Sequence, residues 1–200
     1  MKVFRLGISV ILAAVSLVFI PFMALAATWR IDPDHTSIQF KVRHLMISNV
    51  KGVFHKFNGT VDIDDKDISR SRAVVTIDTS SVDTGVAKRD EDLRSDHFFD
   101  VAKFPTMTFV SRNVMRTGPE SLKVTGDLTI HGITREVVLN VEGPSAAIRD
   151  PWGGTRSGAT AVTRINRKDF GLTWNKALET GGVVVGDDVD ISLEVELVRK

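Results

Sequence analysis

The chain has 200 residues, of which 42% are hydrophobic, and its 26 basic residues nearly balance its 25 acidic ones. A formal net charge of +1 gives no electrostatic basis for binding nucleic acid, because phosphate contacts need a clear excess of lysine and arginine. The absence of cysteine excludes disulfide bridges, thiolate metal sites and thiol nucleophiles.

The N-terminus has the features of a secretory signal peptide. Two basic residues precede an almost wholly apolar run over residues 8–25, and a small-x-small cleavage site ends at Ala26. The run is also long enough for an uncleaved membrane anchor, but Pro21 interrupts it and the cleavage site follows directly. We therefore expect residues 1–26 to be removed and residues 27–200 to form one exported domain.

The expected mature domain fits a bacterial periplasm. It is nearly neutral, and its basic and acidic residues are interspersed, so no basic patch predicts binding to an anionic membrane surface. Once the leader has been removed, we expect no stable membrane insertion.

The first half of the mature domain alternates between apolar and polar residues, which is typical of strands with one buried face. A short segment at residues 28–32 leads into a first long strand at residues 38–44. A second extended segment covers residues 50–63, where Phe54 and Phe57 are out of phase, so we expect a bulge or bend between them. A third strand follows, with Ala73, Val75 and Ile77 on one face and Thr79 at its end.

Residues 82–100 form the clearest non-strand region. They show no alternation and contain good helix formers, and Asp83 or Thr84 is a candidate helix cap. The region ends in a phenylalanine-rich tail, and Phe104-Pro105 marks the exit. A short helix of this kind within an all-strand protein is expected to cover an opening.

Alternation resumes in the second half of the chain. The apolar positions predict strands around residues 107–111, 122–130, 137–141 and 159–165, and a last strand at residues 189–197 with an acidic outer face. His131-Gly132 is expected to form a tight turn between two of these strands, and Gly186-Asp187 is expected to form another.

About eight long, half-buried strands joined by short turns predict an all-β, antiparallel domain that is closed into a barrel or folded into a sandwich. An outer-membrane barrel is disfavoured, because the chain has no tyrosine for an aromatic girdle and its last strand has one acidic face. The inner face includes small residues such as Gly59, Gly126, Ala159 and Ala161. They indicate either a tight waist or a cavity, and the pattern alone leaves both open.

Several segments resemble the YceI-like family of polyisoprenoid-binding periplasmic proteins, in the expected order over about residues 28–198. They are Trp29-Arg30-Ile31-Asp32-Pro33-Asp34-His35-Thr36, Val42-Arg43-His44-Leu45, Gly52-x-Phe54-x-x-Phe57-x-Gly59, Arg89-Asp90-x-x-Leu93-Arg94-Ser95 with Phe98-Phe99-Asp100, Phe104-Pro105, Gly126-Asp127-Leu128-Thr129-Ile130-His131-Gly132, Asn166-Arg167-x-Asp169-Phe170-Gly171 and Val184-Val185-Gly186-Asp187. Each segment alone is partly turn chemistry, and the weight lies in their number and order.

The resemblance implies a lipocalin-like antiparallel barrel of eight strands with a short helix across one end. It also implies an internal pocket for an amphiphile with an isoprenoid tail, of the polyprenyl quinone or polyprenyl phosphate type, and in many family members a homodimer. The expected cargo is held without a covalent bond, and no catalytic residue is expected.

Combined with the alternation, this resemblance gives a set of candidate lipid-binding residues. Inward-facing candidates for contact with the tail are Phe40, Val42, Phe57, Val61, Val75, Ile77, Met107, Phe109, Leu128, Val137, Leu139, Ile165 and Leu193. Candidates for the lid are Phe98, Phe99 and Phe104. Trp174 lies near an end of the barrel that is expected to hold either the pocket mouth or a supporting plug. For each residue, ordinary core packing is the alternative.

The polar residues give a weaker signal. None of the five histidines has the spacing of a metal motif, so no metal site is expected. His44 falls on the apolar face and either meets a ligand head group or is a satisfied structural histidine. Asp169 is expected to bond to the backbone of its turn rather than to act as a catalyst.

Three functional hypotheses therefore stand. The first is a non-enzymatic periplasmic carrier of an isoprenoid lipid. The second is a hydrolase or isomerase acting on such a lipid. For a binding protein, the alternative ligand is another long-chain amphiphile such as a fatty acid or fatty amide. The third is a stress or adhesion protein whose barrel is only a scaffold, because a fold does not fix a function.

Overall fold

A computed structural model describes residues 27–179 and 181–199. The predicted signal peptide and its cleavage site lie outside the described residues and stay predictions. The described chain is mostly antiparallel sheet. Its strands are β1 (Ala27–Ile31), β2 (Ser37–His44), β3 (Ser48–Phe54), β4 (Phe57–Ile63), β5 (Arg72–Asp78), β6 (Val82–Asp83), β7 (Thr106–Arg116), β8 (Ser121–Ile130), β9 (Ile133–Glu142), β10 (Ile148–Arg149), β11 (Thr155–Asn166) and β12 (Val185–Arg199).

The sheet closes into a barrel of eight long strands. Three pairs of segments, namely β1 with β2, β3 with β4 and β5 with β6, each form one bent strand. The same edge of β12 pairs first with β2 and then with β1. On the other side, β2 pairs with β3 and β1 pairs with β4. Next in the ring, β3 pairs with β6 and β4 pairs with β5. The ring continues through β7, β8, β9 and β11, and β11 returns to β12. The predicted antiparallel barrel is confirmed.

Two local predictions about the strands are confirmed. The expected bend between Phe54 and Phe57 is the break between β3 and β4. The expected tight turn joins β8 to β9 through His131 and Gly132, whose φ angles are 52° and 73°. Two successive left-handed residues are the geometry of a type I′ hairpin turn, which follows the twist of the sheet.

The predicted turn at Gly186-Asp187 is wrong. Both residues belong to β12, which begins at Val185 and has an irregular ladder before Val189. Gly186 is needed for close packing, because a Cβ atom at this position would lie 2.9 Å from the Cβ of Arg43. The glycine therefore marks a contact between neighbouring strands, and the chain continues through it.

The helix is shorter than predicted and is capped differently. Within the described ranges the one α-helix, α1, runs from Ala87 to Arg94, because Val82 and Asp83 are drawn into the sheet as β6 beside β3. Neither predicted cap residue caps it. Instead, the side chain of Asp90 accepts a hydrogen bond from the backbone N–H of Thr84 at 2.9 Å and ties the preceding loop to the helix.

Strand register defines two ends of the barrel. His44 at the end of β2 pairs with Val185 at the start of β12, so the β2–β3 turn lies at the same end as the start of β12. We call this the lid end, since it also carries α1, the β8–β9 turn and the 3-10 turn Arg167–Phe170. The opposite end, with the start of β1 and the end of β12, is the floor end. None of the helices in the described chain is long and apolar enough to cross a bilayer.

Candidate functional site

The barrel encloses an apolar cavity of about 310 Å³. This is many times the roughly 10–15 Å³ that admits a single water molecule. All but five of its forty lining residues are apolar. The polar exceptions are Gln39, Ser71, Arg72, Thr163 and Arg167. No carboxylate and no imidazole lines the cavity within the part of the chain that the structure describes.

Most of the predicted tail contacts lie on the cavity wall. Fourteen of the eighteen candidates line it: Phe40, Val42, Val61, Val75, Ile77, Phe98, Phe99, Met107, Phe109, Leu128, Val137, Leu139, Ile165 and Leu193. Their role in binding a lipid stays a prediction, but the alternation identified the side of the sheet on which they lie.

Four candidates lie elsewhere. Phe57 is buried in the main core and is absent from the cavity wall. Phe104 packs on the ring of His131, with centroids 4.4 Å apart, and so supports the β8–β9 turn. Trp174 packs on the ring of Phe98, with ring centroids 5.4 Å apart. His44 is the last residue of β2 and is only partly buried.

Sequence reasoning missed other lining residues. Ile38 and Ile191 show the same alternation as the candidates beside them, so the signal for them was present. Leu93 lines the cavity from α1, and the largely charged sequence of that helix gave no apolar stripe to reveal it. Leu172, 6% exposed, lines the wall from the turn after β11.

The small inward residues serve two purposes, so both alternatives hold in different places. A Cβ atom at Gly126 would lie 2.6 Å from Cζ of Phe109, so this glycine makes room for an aromatic ring. Ala73, Ala159 and Ala161 instead line open space. The tight waist and the cavity therefore coexist in one barrel.

A separate small cluster closes the floor end. Trp29, Ile63 and Leu197 are 4%, 7% and 3% exposed, and we call them the floor. They come from three adjacent strands, since Trp29 pairs with Val61 on β4 and with Arg199 on β12. Ile63 and Leu197 also line the cavity, which therefore reaches the floor.

The lid end is closed by side chains from a single excursion of the chain. Leu93, Phe98 and Phe99, which we call the lid, line the cavity, and Leu93 and Phe99 are only half-buried. Phe99 packs edge-on against Phe54 with a centroid distance of 5.7 Å. Arg94 fastens α1 to the barrel. Its Nε donates to the carbonyl of Ser80 at 2.7 Å, and its Nη2 donates to the carbonyl of Val82 in β6 at 2.6 Å.

The corner after β11 is a plug rather than a mouth. Phe170 is 1% exposed and Arg167 is 4% exposed. The Arg167 guanidinium donates to the carbonyls of Gly186, at 2.9 Å, and of Leu172, and lies 3.3 Å from a carboxylate oxygen of Asp187. Burial lowers the pKa of Arg167 from its usual value, and the Asp187 charge opposes that shift.

The side-chain hydrogen bond to the backbone of this turn, which was expected from Asp169, is made by Asn166. The side-chain oxygen of Asn166 accepts a hydrogen bond from the backbone N–H of Lys168 at 2.9 Å and caps the 3-10 turn. Gly171, with a φ of 77°, then ends the turn in the left-handed conformation.

An ion-pair cluster that the sequence did not reveal lies at the floor end. Arg156 donates to carboxylate oxygens of Asp32 at 2.6 Å, Asp150 at 2.7 Å and Glu196 at 2.5 Å. The hydrogen bond from Arg156, supported by His35, lowers the pKa of Asp32 to about 2. Asp32, His35 and Glu196 are close enough to hold a metal ion, but the carboxylates of Asp32 and Glu196 both already accept hydrogen bonds from the Arg156 guanidinium.

Comparison with known proteins identifies related chains. The model of the YceI-like domain matches residues 29–197. A UPF0312 protein of Vibrio cholerae serotype O1 is 44% identical over 185 residues, which cover 90% of this chain and 92% of the relative.

Solved structures share the fold. The YceI protein of Campylobacter jejuni is 34% identical with a TM-score of 0.67, and the match covers 80% of this chain and 91% of that one. A polyisoprenoid binding domain from Saccharophagus degradans has a TM-score of 0.63 over 88% of this chain and 99% of that one. At 18% identity, this second likeness concerns the fold alone.

Proposed function

The chain belongs to the YceI-like domain family, and from that premise we propose that it is a lipid-binding protein that encloses the tail of a long amphiphile in its barrel. The observation that carries the proposal is the cavity of about 310 Å³, which is lined by apolar side chains from lid to floor. Each methylene group buried contributes about 0.8 kcal/mol, so a tail of several isoprene units would obtain most of its affinity from such a wall.

The proposed cargo is an isoprenoid-tailed amphiphile of the polyprenyl quinone or polyprenyl phosphate type. Support comes from the polyisoprenoid binding domain of Saccharophagus degradans, whose fold this chain shares. A fatty acid or fatty amide would also suit an apolar wall, so direct identification of the cargo is the deciding observation.

The proposed role is non-enzymatic carriage in the periplasm. A hydrolase or isomerase would need an acid and a base that converge on the lipid. Among the described residues, those that line the cavity include neither a carboxylate nor an imidazole, which favours binding over catalysis. The periplasmic location rests on the predicted leader at residues 1–26, and a homodimer stays a prediction from the family resemblance.

Mass spectrometry of the native protein tests this proposal. The full chain is expressed with its leader, purified without detergent and extracted with organic solvent. We expect one amphiphile in a stoichiometric amount, with an isoprenoid tail. Protein that is free of lipid yet folded, with a filled barrel, would contradict the proposal.

A pair of neighbouring variants on β11 provides the matched control. Ala161 lines the cavity and is 6% exposed, whereas the next residue, Val162, points outward and is 51% exposed. Ala161→Trp fills the cavity and should lower the extracted lipid about tenfold, at a cost of about 1–3 kcal/mol in stability from overpacking. Val162→Trp should leave the lipid content unchanged. Equal lipid content in both variants would mean that the lipid lies outside the barrel.

A further inference from the structure

We infer that the tip of the β2–β3 hairpin, Leu45-Met46-Ile47, docks the lid end of the barrel on an anionic phospholipid surface. This inference deepens the proposed function and rests on it, since docking would present the lid end of a lipid carrier to a source of lipid. The partner is the surface of a bilayer, and the contact is peripheral and reversible.

The tip exposes large apolar side chains at the extremity of a hairpin. Ile47 is 77% exposed and Met46 is 45% exposed. Val86, at the start of α1 and at the same end of the barrel, is 47% exposed. Aliphatic side chains that project from a charged protein surface are the groups that enter the headgroup and acyl boundary of a bilayer.

The backbone of the tip indicates that these side chains are not there for the turn itself. Leu45 and Met46 have φ angles of 51° and 60°. Glycine or asparagine is favoured in this left-handed region, and a bulky side chain there is costly. A turn selected only for folding would therefore place small or polar residues where this chain has leucine and methionine.

The hairpin is basic within its own sequence, which corrects the expectation that the chain carries no basic patch; acidic side chains beside it, such as Asp190, come from β12. Residues 35–61 contain no aspartate or glutamate, although the whole chain has 25 acidic residues. Arg43 donates to the carbonyl of Met46 at 2.8 Å, which holds its guanidinium beside the tip. Lys51 is exposed, and Lys41 pairs with Asp190 at 3.0 Å. An apolar tip with a basic base complements an anionic bilayer surface, which attracts lysine and arginine over about a Debye length.

The position of the tip brings the bilayer to the lid. The tip follows His44, which pairs with the first residue of β12, so it lies at the end that α1 covers. Leu93 and Phe99 are half-buried there and line the cavity. Among the described residues, the most exposed aromatic side chain is that of Trp152, at 86%. It precedes β11 at the floor end, where the packed floor separates it from the cavity. The tip is therefore the apolar projection that adjoins the lid.

Vesicle sedimentation tests the docking. The expected mature domain, residues 27–200, is mixed with vesicles of phosphatidylcholine, with or without phosphatidylglycerol. We expect binding to the anionic vesicles that weakens with added salt, and an approximately tenfold loss of binding for the double variant Met46→Ser, Ile47→Ser. Trp152→Ser is the matched control at the floor end and should bind like the native chain.

Two results would contradict the docking. A native chain that sediments with neither vesicle, or a loss of binding in Trp152→Ser but not in the tip variant, would overturn the docking. All three side chains are exposed, so both variants are expected to fold like the native chain. Thermal melting of both variants checks this. The lipid content of the same samples separates the two proposals: cargo without vesicle binding refutes docking alone, and vesicle binding with an empty barrel refutes carriage alone.

Discussion

The lid and the floor close the same cavity with the same kinds of side chain, but they are held in different ways. The floor residues Trp29, Ile63 and Leu197 come from three adjacent strands and are almost fully buried. The lid residues come from one excursion between β6 and β7, and two of them are half-buried. Opening the floor requires the sheet to come apart, whereas opening the lid requires a few polar contacts and the aromatic packing of Phe98 and Phe99 to break. Exchange of a ligand is therefore expected at the lid end.

The strongest test of this difference compares one aromatic residue from each end. Trp29→Ala should lower the free energy of unfolding by about 3–5 kcal/mol, because it removes a buried side chain and leaves a cavity in the floor. Phe99→Ala should cost less than half as much, since Phe99 is half-buried. Urea unfolding of both variants measures the two costs, and equal costs would remove the distinction between lid and floor.

A second prediction concerns the ion pairs that reinforce the floor end. Asp32→Asn should cost about 1–3 kcal/mol near neutral pH, because it replaces a charge-assisted hydrogen bond to Arg156. The pKa of Asp32 is lowered from 3.8 to about 2, so the carboxylate stabilises the fold above about pH 4 and loses that effect as the pH falls toward 2.

Urea unfolding of the native chain and of Asp32→Asn at neutral pH and at about pH 3 gives the measurement. The difference between the two proteins should shrink at the lower pH. A difference that stays constant or grows would show that the lowered pKa of Asp32 does not contribute to stability in this window.

The smallest effect on stability is expected for the polar fastening of the lid. Arg94→Gln removes the hydrogen bonds to the carbonyls of Ser80 and Val82 and should cost about 1 kcal/mol. It should nevertheless speed the release of a fluorescent isoprenoid analogue into acceptor vesicles several-fold, because α1 is freed from the barrel. Stopped-flow fluorescence follows this release.

Lys88→Gln is the control for the lid, since it makes the same change in charge on the exposed surface of the same helix. Its release rate should equal that of the native chain. A native release rate in Arg94→Gln would place the exit elsewhere than under α1.

The barrel was predictable because alternation is a local signal. The pairs Ile191 and Leu193 on β12, or Met107 and Phe109 on β7, show which side of the sheet is apolar wherever a strand lies between core and water. The number of strands and their short connections left a barrel and a sandwich open, and the family resemblance implied the closed barrel of eight strands. The sequence did not predict that β1 and β2 form one bent strand. The turn between them interrupts the alternation, although both segments pair with the same edge of β12.

The candidates that lie off the cavity wall are found toward the lid end of the barrel. Alternation gives the side on which a residue lies but not its height along the barrel, so it could not show that Phe57 and His44 lie off the cavity wall. Phe104 and Trp174 follow no strand pattern, and their partners His131 and Phe98 are set by the tertiary fold. The Arg156 cluster joins residues from distant parts of the chain, which no local pattern reveals.

The closing strand β12 also has a consequence for the order in which the molecule is made. The pair Trp29 and Arg199 joins positions 170 residues apart, and β12 fills the gap between β11 and the first two strands. Contacts between such distant positions make folding slow, because a long loop must close before the contact is formed. The cavity is therefore completed only after the last strand has left the ribosome. A ligand can therefore be enclosed only once β12 has been made, because no closed cavity exists earlier in synthesis.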